Sequence, residues 1–199
     1  MVVFLSHDIL PRVRMSVDEY LEAELPEGFR YELVDGVIEV SPVPNIPHDV
    51  PIGFLNRLFG RYADRRPDIV GHITQRSALA LRQRPTAREP DFAVYATGQV
   101  SARPGVSWKQ LTPLLIVEIV SPGQAERDYR AKRADYWDAA VPEYWIVDPD
   151  AQTLTLLSRG ETDWVERTLG QTETLQSAQF PGLTFVVGNM LRGELPPQP

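Results

Sequence analysis

The apolar run Leu114–Val120, LLIVEIV, constrains the fold of this chain more than any other segment. A strand with one face in water alternates apolar and polar residues, whereas a strand covered on both faces is almost continuously apolar. The run therefore predicts a central strand with layers on both sides. Glu118 lies in its middle, where a charged carboxylate is unfavourable unless it is paired or binds a metal ion. We expect Glu118 to belong to a functional site; the alternative is an exposed strand end where an arginine neutralises it.

Helical and strand patterns alternate along the rest of the chain. Asp35-Gly36 separates two alternating runs in YELVDGVIEV, which predicts a hairpin whose turn residues have positive φ angles. Apolar residues recur at helical spacing over 48–65, and helical composition extends over 126–140. Further strands are expected at 69–74, 77–81, 91–96, in EYWIVD, and in a hairpin formed by TLTLLSRG and DWVERTL. These elements add up to an α/β fold with a mixed sheet.

Composition narrows the functional classes. With 199 residues and 43% hydrophobic content, the chain is expected to form a single domain, with its core over about 15–187. It contains no cysteine, so a bound metal needs oxygen or imidazole ligands, and a cytoplasmic location is expected. The apolar start MVVFL is shorter than a signal-peptide core, and no run approaches the roughly 20 residues that span a membrane. The net charge of −7 argues against unspecific coating of nucleic acid, but it allows a nuclease whose carboxylates meet a divalent cation.

Two further polar positions have the character of catalytic residues. Asp91 follows Pro90 at the head of EPDFAVYA, although a Pro-Asp pair is also common in turns. Lys132 is one of two lysines among 20 basic residues, which suggests a role that guanidinium cannot fill. Asp128, Lys132 and Tyr136 are spaced four residues apart, on one stripe of the helix that follows the strand of Glu118. A surface ion pair between Asp128 and Lys132 is the alternative.

Weaker candidates surround these positions. Glu32 and Glu39 should face each other across the hairpin, where they repel unless they are solvated or share a cation. His48 follows a proline-rich loop, where a histidine often only faces solvent. A cluster of arginines before Asp91 is expected either to contact nucleic-acid phosphates or to lie in a solvated loop. These arginines are Arg82, Arg84 and Arg88.

Three segments together resemble the Uma2 family, a group of predicted restriction-endonuclease-like proteins within the PD-(D/E)XK superfamily. They are YELVDGVIEVSPVPNIPH, EPDFAVYA and PLLIVEIVSPGQAERDYRAKRADYWDAAVPEYWIVDP, and the similarity extends from about Met15 to Val187. The resemblance implies a restriction-endonuclease-like fold, in which a mixed central β-sheet is flanked by α-helices. In most of the superfamily the lysine lies two residues after the glutamate, but Val120 occupies that place here. The lysine looks displaced onto the following helix, at Lys132.

The resemblance also implies roles for individual residues. Asp91 and Glu118 match the two metal-binding acids, and Lys132 matches the catalytic lysine. Glu32, His48 and Asp128 match further family positions and are expected to be auxiliary residues, and Tyr136 is added to them because of its place on the stripe of Lys132.

The expected activity is hydrolysis of DNA phosphodiester bonds by a Mg²⁺-dependent endonuclease, with Mn²⁺ as a substitute ion. A homodimer is expected by analogy with nucleases that cut two strands. Two alternatives remain open: an inactive nuclease-fold module that binds nucleic acid or protein, and a hydrolase of nucleotides or other phosphoesters that uses the same metal site. The complete set of Asp91, Glu118 and Lys132 favours a nuclease over a binding module, because a decayed site would be expected to lose a member.

Overall fold

The computed structural model describes residues 14–42, 46–81, 83–100, 110–121 and 126–196, and these ranges contain both helices and strands. The first half contains α1 (Val17–Glu22), β1 (Phe29–Val34), β2 (Val37–Pro42), α2 (Ile46–Arg65), β3 (Val70–Thr74), β4 (Leu79–Ala80), β5 (Ala87–Arg88) and β6 (Phe92–Ala96). The second half contains β7 (Leu115–Ile119), a π-helical turn (Arg127–Ala131) that continues into α3 (Lys132–Asp138), β8 (Glu143–Asp148), β9 (Thr153–Arg159), β10 (Trp164–Gly170), β11 (Thr174–Gln176), β12 (Thr184–Val186) and α4 (Val187–Arg192). None of the described helices is long and apolar enough to cross a membrane.

Six strands form the central sheet, in the order β10-β9-β8-β7-β6-β3. Every residue of β7 is buried, as its apolar run predicts. β7 and β8 are parallel, and the other neighbouring pairs of this sheet are antiparallel. Parallel neighbours need a crossover connection, which the π-helical turn and α3 provide. This mixed sheet with flanking helices confirms the expected fold class.

The two faces of β7 meet different layers. Alternate side chains of a strand point to opposite faces, so Val117 and Ile116 enter different cores. Val117 lies in the larger core, which α2 covers with Phe59 among other residues. Ile116 lies in a smaller core with Tyr136 of α3. Burial of each such side chain contributes about 1.5–3 kcal/mol. Glu118 shares the face of Ile116 and therefore lies between the sheet and α3.

The N-terminal hairpin builds a second sheet of four strands, in the order β2-β1-β5-β4. Asp35 and Gly36 have φ angles of 48° and 81°, the positive values that the predicted turn requires. The apolar face of the hairpin packs with α1. Glu32 pairs with Glu39 across the strands, which confirms the predicted register. The polar face brings Glu32 to within 3.4 Å of Lys132 on α3.

Two elements differ from the sequence prediction. The expected helix over 126–140 begins as a π-helical turn, in which the Lys132 N–H donates to the Arg127 carbonyl, and α3 ends at Asp138. Such turns occur often at functional sites. The expected strand over 77–81 shrinks to the 2 residues of β4, which pair with β5 in the smaller sheet. Arg76 has a positive φ of 56°, which turns the chain away from the central sheet after β3.

Candidate functional site

The strand register brings the two predicted acids together. Phe92 on β6 pairs with Val117 on β7, and one further step of this antiparallel register sets Asp91 opposite Glu118. Residues opposite each other in a sheet lie on the same face, with their Cβ atoms about 4.5–5.5 Å apart. The Ile119 N–H donates to Asp91 Oδ2 at 2.8 Å, which ties the aspartate to the end of β7. Asp91, just before β6, is therefore next to Glu118 of β7.

Asp91 has both carboxylate oxygens engaged. Arg30 Nη1 donates a hydrogen bond to Oδ1, and His48 Nε2 lies 3.0 Å from Oδ2. All three side chains are buried. Burial opposes ionisation of Asp91, but the contacts with His48 and Arg30 hold the pKa of its carboxyl below the usual range. Asp91 is therefore held as a carboxylate, and the predicted auxiliary residue His48 contacts it directly.

Glu118 is the more deeply buried acid, with 1% of its surface exposed. Its Oε1 lies 2.8 Å from Lys132 Nζ and accepts a hydrogen bond from the Tyr136 hydroxyl. Burial, together with the nearby charges of Asp91 and Asp128, outweighs the attraction of Lys132 and raises the pKa of Glu118 to about 8. The two acids therefore differ, since Asp91 is held ionised and Glu118 holds a proton more readily.

Lys132 lies at the centre of a cluster of carboxylates. Its Nζ is 2.8 Å from Glu118, 3.4 Å from Glu32 Oε1 and 3.4 Å from Asp128 Oδ1. Burial disfavours the ammonium form, but these three acids raise the pKa of Lys132 above its ordinary value. The stripe of Asp128, Lys132 and Tyr136 thus faces the sheet, so the alternative of a surface ion pair does not apply.

A buried arginine links the hairpin to α3. Arg88 is 2% exposed, with Nη1 at 3.1 Å from Glu32 Oε2 and Nε donating to Asp135 Oδ2 at 2.7 Å. Its Nη1 also lies 3.8 Å from Glu39, so the two glutamates that face each other across the hairpin share a cation. Arg84 donates to the same Asp135 at 2.6 Å.

These contacts show what the arginines before Asp91 bind in the described structure. The guanidinium of Arg88 is enclosed between two carboxylates, and contact of these arginines with nucleic-acid phosphates stays a prediction. Arg84 is more exposed but is held by Asp135 and Asp138. Arg82 lies outside the described residues.

A family model and a solved structure match this chain. A family model named Uma2, described as "Putative restriction endonuclease", matches residues 17–188. The chain belongs to the Uma2 family. A solved structure similar to this Uma2 chain is that of "a putative nuclease belonging to DUF820 from Anabaena variabilis ATCC 29413", with a TM-score of 0.74 and 16% identity over 91% of this chain and 99% of that one. No curated protein sequence is significantly similar to the chain. Family membership confirms the sequence resemblance and, with the fold, supports a nuclease function.

Several residues of the Uma2 site were not found by sequence reasoning, above all Arg30 and Asp135. A signal for Arg30 exists, because it lies two residues before Glu32 and so on the same polar face of β1. Asp135 follows Lys132 by three residues and therefore lies on a neighbouring part of the helix surface. In both cases the sequence gives the face but not the partner across the fold.

The donor chemistry of the Uma2 site fits a hard divalent cation. Asp91 and Glu118 offer carboxylate oxygens, the ligands that Mg²⁺ prefers, and Asp128 Oδ1 is a further buried oxygen, 3.4 Å from Lys132 Nζ. Nevertheless, no three His, Cys, Asp or Glu side chains in the described ranges converge as a metal-binding group. Each acid has a protein cation instead, Arg30 at Asp91 and Lys132 at Glu118.

Proposed function

We propose that this chain is a Mg²⁺-dependent endonuclease that hydrolyses phosphodiester bonds of DNA. The observation that carries the proposal is that Asp91, at the head of β6, is next to Glu118 on β7, with the buried Lys132 Nζ 2.8 Å from Glu118. Two acids and a lysine are the groups that metal-assisted phosphoryl transfer needs. Membership of a family described as "Putative restriction endonuclease" supports the same reaction class.

Asp91 and Glu118 would hold the divalent ion through their carboxylate oxygens, with Mg²⁺ as the expected ion and Mn²⁺ as a substitute. A bound ion of this kind lowers the pKa of a coordinated water and offsets negative charge on the phosphate oxygens. His48 orients Asp91 at 3.0 Å, and the Tyr136 hydroxyl orients Glu118 by donating to Oε1. Such supporting contacts fix the direction in which a ligating oxygen points.

Lys132 supplies a positive charge that does not depend on a metal. Glu32 and Asp128 each lie 3.4 Å from its Nζ and keep the ammonium protonated and in place. An ammonium held in a water-poor site stabilises negative charge that develops on a phosphate during attack. Lys132 is thus proposed to stabilise the reacting phosphate or orient the attacking water, and Glu32 and Asp128 position it.

DNA as substrate and a homodimeric assembly belong to the same proposal. Two copies of one site could address the two strands of a duplex, which a symmetric dimer arranges naturally. The cytoplasm remains the expected compartment, on the ground that the chain has no cysteine.

One observation favours a second candidate, a nuclease-fold module that binds without cutting. Asp91, Glu118 and Lys132 are 5%, 1% and 1% exposed, and protein cations already neutralise both acids. A phosphodiester must displace part of this arrangement to reach the site. The binding module is the weaker candidate, because binding alone does not require two acids and a lysine in one buried cluster.

Digestion of a panel of nucleic acids tests the proposal. The purified chain is incubated with supercoiled plasmid, linear duplex, branched DNA, single-stranded DNA and RNA, in Mg²⁺, Mn²⁺ or EDTA. We expect cleavage of DNA in Mg²⁺ or Mn²⁺ and none in EDTA or with Asp91→Asn. Tight binding of DNA without cleavage in either ion would favour the binding module. Turnover of small phosphoesters alone would indicate the phosphoesterase alternative.

A further inference from the structure

Arg30 is a buried arginine directed at the acid that is proposed to bind the metal. It lies on β1, with 9% of its surface exposed. Its Nη1 donates to Asp91 Oδ1, and its Nη2 donates to the Glu89 carbonyl at 2.8 Å. The contact with Asp91 is therefore made by one nitrogen of the guanidinium, while the other is held by backbone. A surface ion pair contributes little, but here the arginine and the aspartate are both enclosed.

Arg30 is the arginine that neutralises the negative charge of Asp91, as the other contacts of this carboxylate show. The other oxygen, Oδ2, accepts from the Ile119 N–H at 2.8 Å and lies 3.0 Å from His48 Nε2. Lys132 Nζ pairs instead with Glu118 and its auxiliary acids. Each of the two acids thus has its own cation. A divalent ion on Asp91 Oδ1 would lie beside the guanidinium, and two cations in a poorly solvated site repel strongly.

We propose that Arg30 is an intramolecular counter-ion that takes the place of the divalent cation at Asp91, so that ion binding and release of Arg30 from Oδ1 are one exchange. This inference rests on the proposed function, because it assumes that Asp91 is a metal ligand. Without the ion, Arg30 keeps Asp91 from being a buried and unpaired charge. With the ion, the Glu89 carbonyl still binds Nη2, since that hydrogen bond does not involve Asp91.

The exchange lowers the affinity of the site for its ion, because the ion must compete with a contact that is already made. Calorimetric titration of Mn²⁺ into the wild-type chain and Arg30→Gln, without nucleic acid, measures this competition. We expect the Mn²⁺ dissociation constant of Arg30→Gln to be at least about tenfold lower than that of the wild type. Arg84→Gln is the matched control: it removes an arginine that pairs with Asp135 and Asp138, and its Mn²⁺ affinity should not change.

Two further measurements cover the case in which Arg30→Gln folds poorly. Arg30→Lys keeps a positive charge but loses the planar fork, so it should fall between the wild type and Arg30→Gln in Mn²⁺ affinity. In the wild type itself, the guanidinium NMR signal of Arg30 should shift when Mg²⁺ is added, while that of Arg84 should not. Thermal unfolding is a further measurement: the Tm of Arg30→Gln should be lower than that of the wild type without the ion, and it should return to the wild-type value at saturating Mn²⁺.

The outcomes separate this inference from the proposed function. If the wild type binds Mn²⁺ and cleaves DNA but Arg30→Gln binds Mn²⁺ no more tightly, the exchange is wrong and the nuclease proposal stands. If the folded wild type and Arg30→Gln both fail to bind Mn²⁺ or Mg²⁺, both proposals are wrong. If only Arg30→Gln binds Mn²⁺, the exchange is supported, and Arg30 excludes the ion from the resting protein.

Discussion

Glu118 and Glu143 are two buried carboxylates on neighbouring parallel strands, yet their surroundings differ completely. They are 1% and 0% exposed. Glu118 faces α3, whereas Glu143 lies on the opposite face of the sheet with Trp145, whose Nε1 donates to it at 2.7 Å. Burial raises the pKa of both acids, but the groups that counteract burial at Glu143 are neutral donors such as Ser177 and Trp145.

The difference lies in the charges around each acid. Glu118 has a lysine at 2.8 Å and other acids nearby, so repulsion between carboxylates adds to the effect of burial. Glu143 instead accepts hydrogen bonds from neutral donors, Trp145 on its own strand and Ser177 further along the chain. Burial of a carboxylate is therefore not a sufficient sign of a site; several buried acids that repel one another and share a cation are a better one.

The largest expected effect concerns the lysine that only the Glu118 region possesses. Lys132→Ala should lower DNA cleavage by about 10²–10³-fold or more, because an ammonium that stabilises charge on the phosphate is lost. Arg133→Ala is the matched control, since this neighbouring residue pairs with Glu166 and does not contact the site. Cleavage rates per folded molecule and Mn²⁺ affinity are measured together. Cleavage by Lys132→Ala at the wild-type rate would remove the functional distinction between the two regions.

A second effect tests whether the Glu118 region is an ionic network. Arg88→Ala removes the enclosed guanidinium that pairs with Glu32 and Asp135, which should lower the free energy of unfolding by about 3–5 kcal/mol. Arg84→Ala serves as the control, because its side chain is 38% exposed. It should cost at most about 1 kcal/mol. Urea unfolding of both variants provides the comparison. An equal loss of unfolding free energy in the two variants would mean that burial does not determine how much these ion pairs contribute to stability.

A third prediction is that loss of Glu143 lowers stability without lowering cleavage, whereas loss of Glu118 abolishes cleavage. Glu143→Ala leaves the buried Trp145 Nε1 without an acceptor, and should lower the free energy of unfolding by about 1–3 kcal/mol. Its cleavage rate per folded molecule should stay at the wild-type level. Glu118→Ala should lose cleavage instead. Chemical unfolding and a cleavage assay on the same samples make the test, and loss of cleavage in folded Glu143→Ala would contradict the structural role.

Sequence reasoning goes far towards the fold because the decisive signals are local. The apolar run around Glu118, the positive φ angles at Asp35-Gly36 and the alternation of the hairpin each depend on neighbouring residues, and each is confirmed. The exceptions are the helix over 126–140, which begins as a π-helical turn, and β4, which is short and pairs with β5 in the smaller sheet. A two-residue strand carries too little periodicity to specify its neighbours.

The site is predictable only in part, because its contacts join residues that are far apart in the sequence. Asp91, Glu118 and Lys132 lie together, but their catalytic roles stay a prediction. The arginine partners could not be assigned, because Arg30 meets Asp91 across 61 residues and Arg88 meets Asp135 across 47. A long guanidinium side chain can reach many acids from one backbone position, so its partner is decided by how the two sheets pack.

A fourth expected effect is a change in how stability depends on pH, and it separates Glu118 from Glu32, the ionised acid beside it. The pKa of Glu118 is about 8 in the folded chain against 4.5 for the free group, so its contribution to stability is complete below 4.5 and is lost as pH rises through 8. Glu32 has the opposite sign, because Lys132 and Arg88 overcome its burial and hold its pKa at about 2. Its contribution is present above 4.5 and is lost as pH falls towards 2. Glu118→Gln removes only the first effect, so its stability relative to the wild type should rise steadily between about pH 5 and about pH 8 in EDTA and level off above that range. Urea unfolding across this interval measures the difference, and a difference that is constant with pH would mean that Glu118 is as fully ionised as its neighbours.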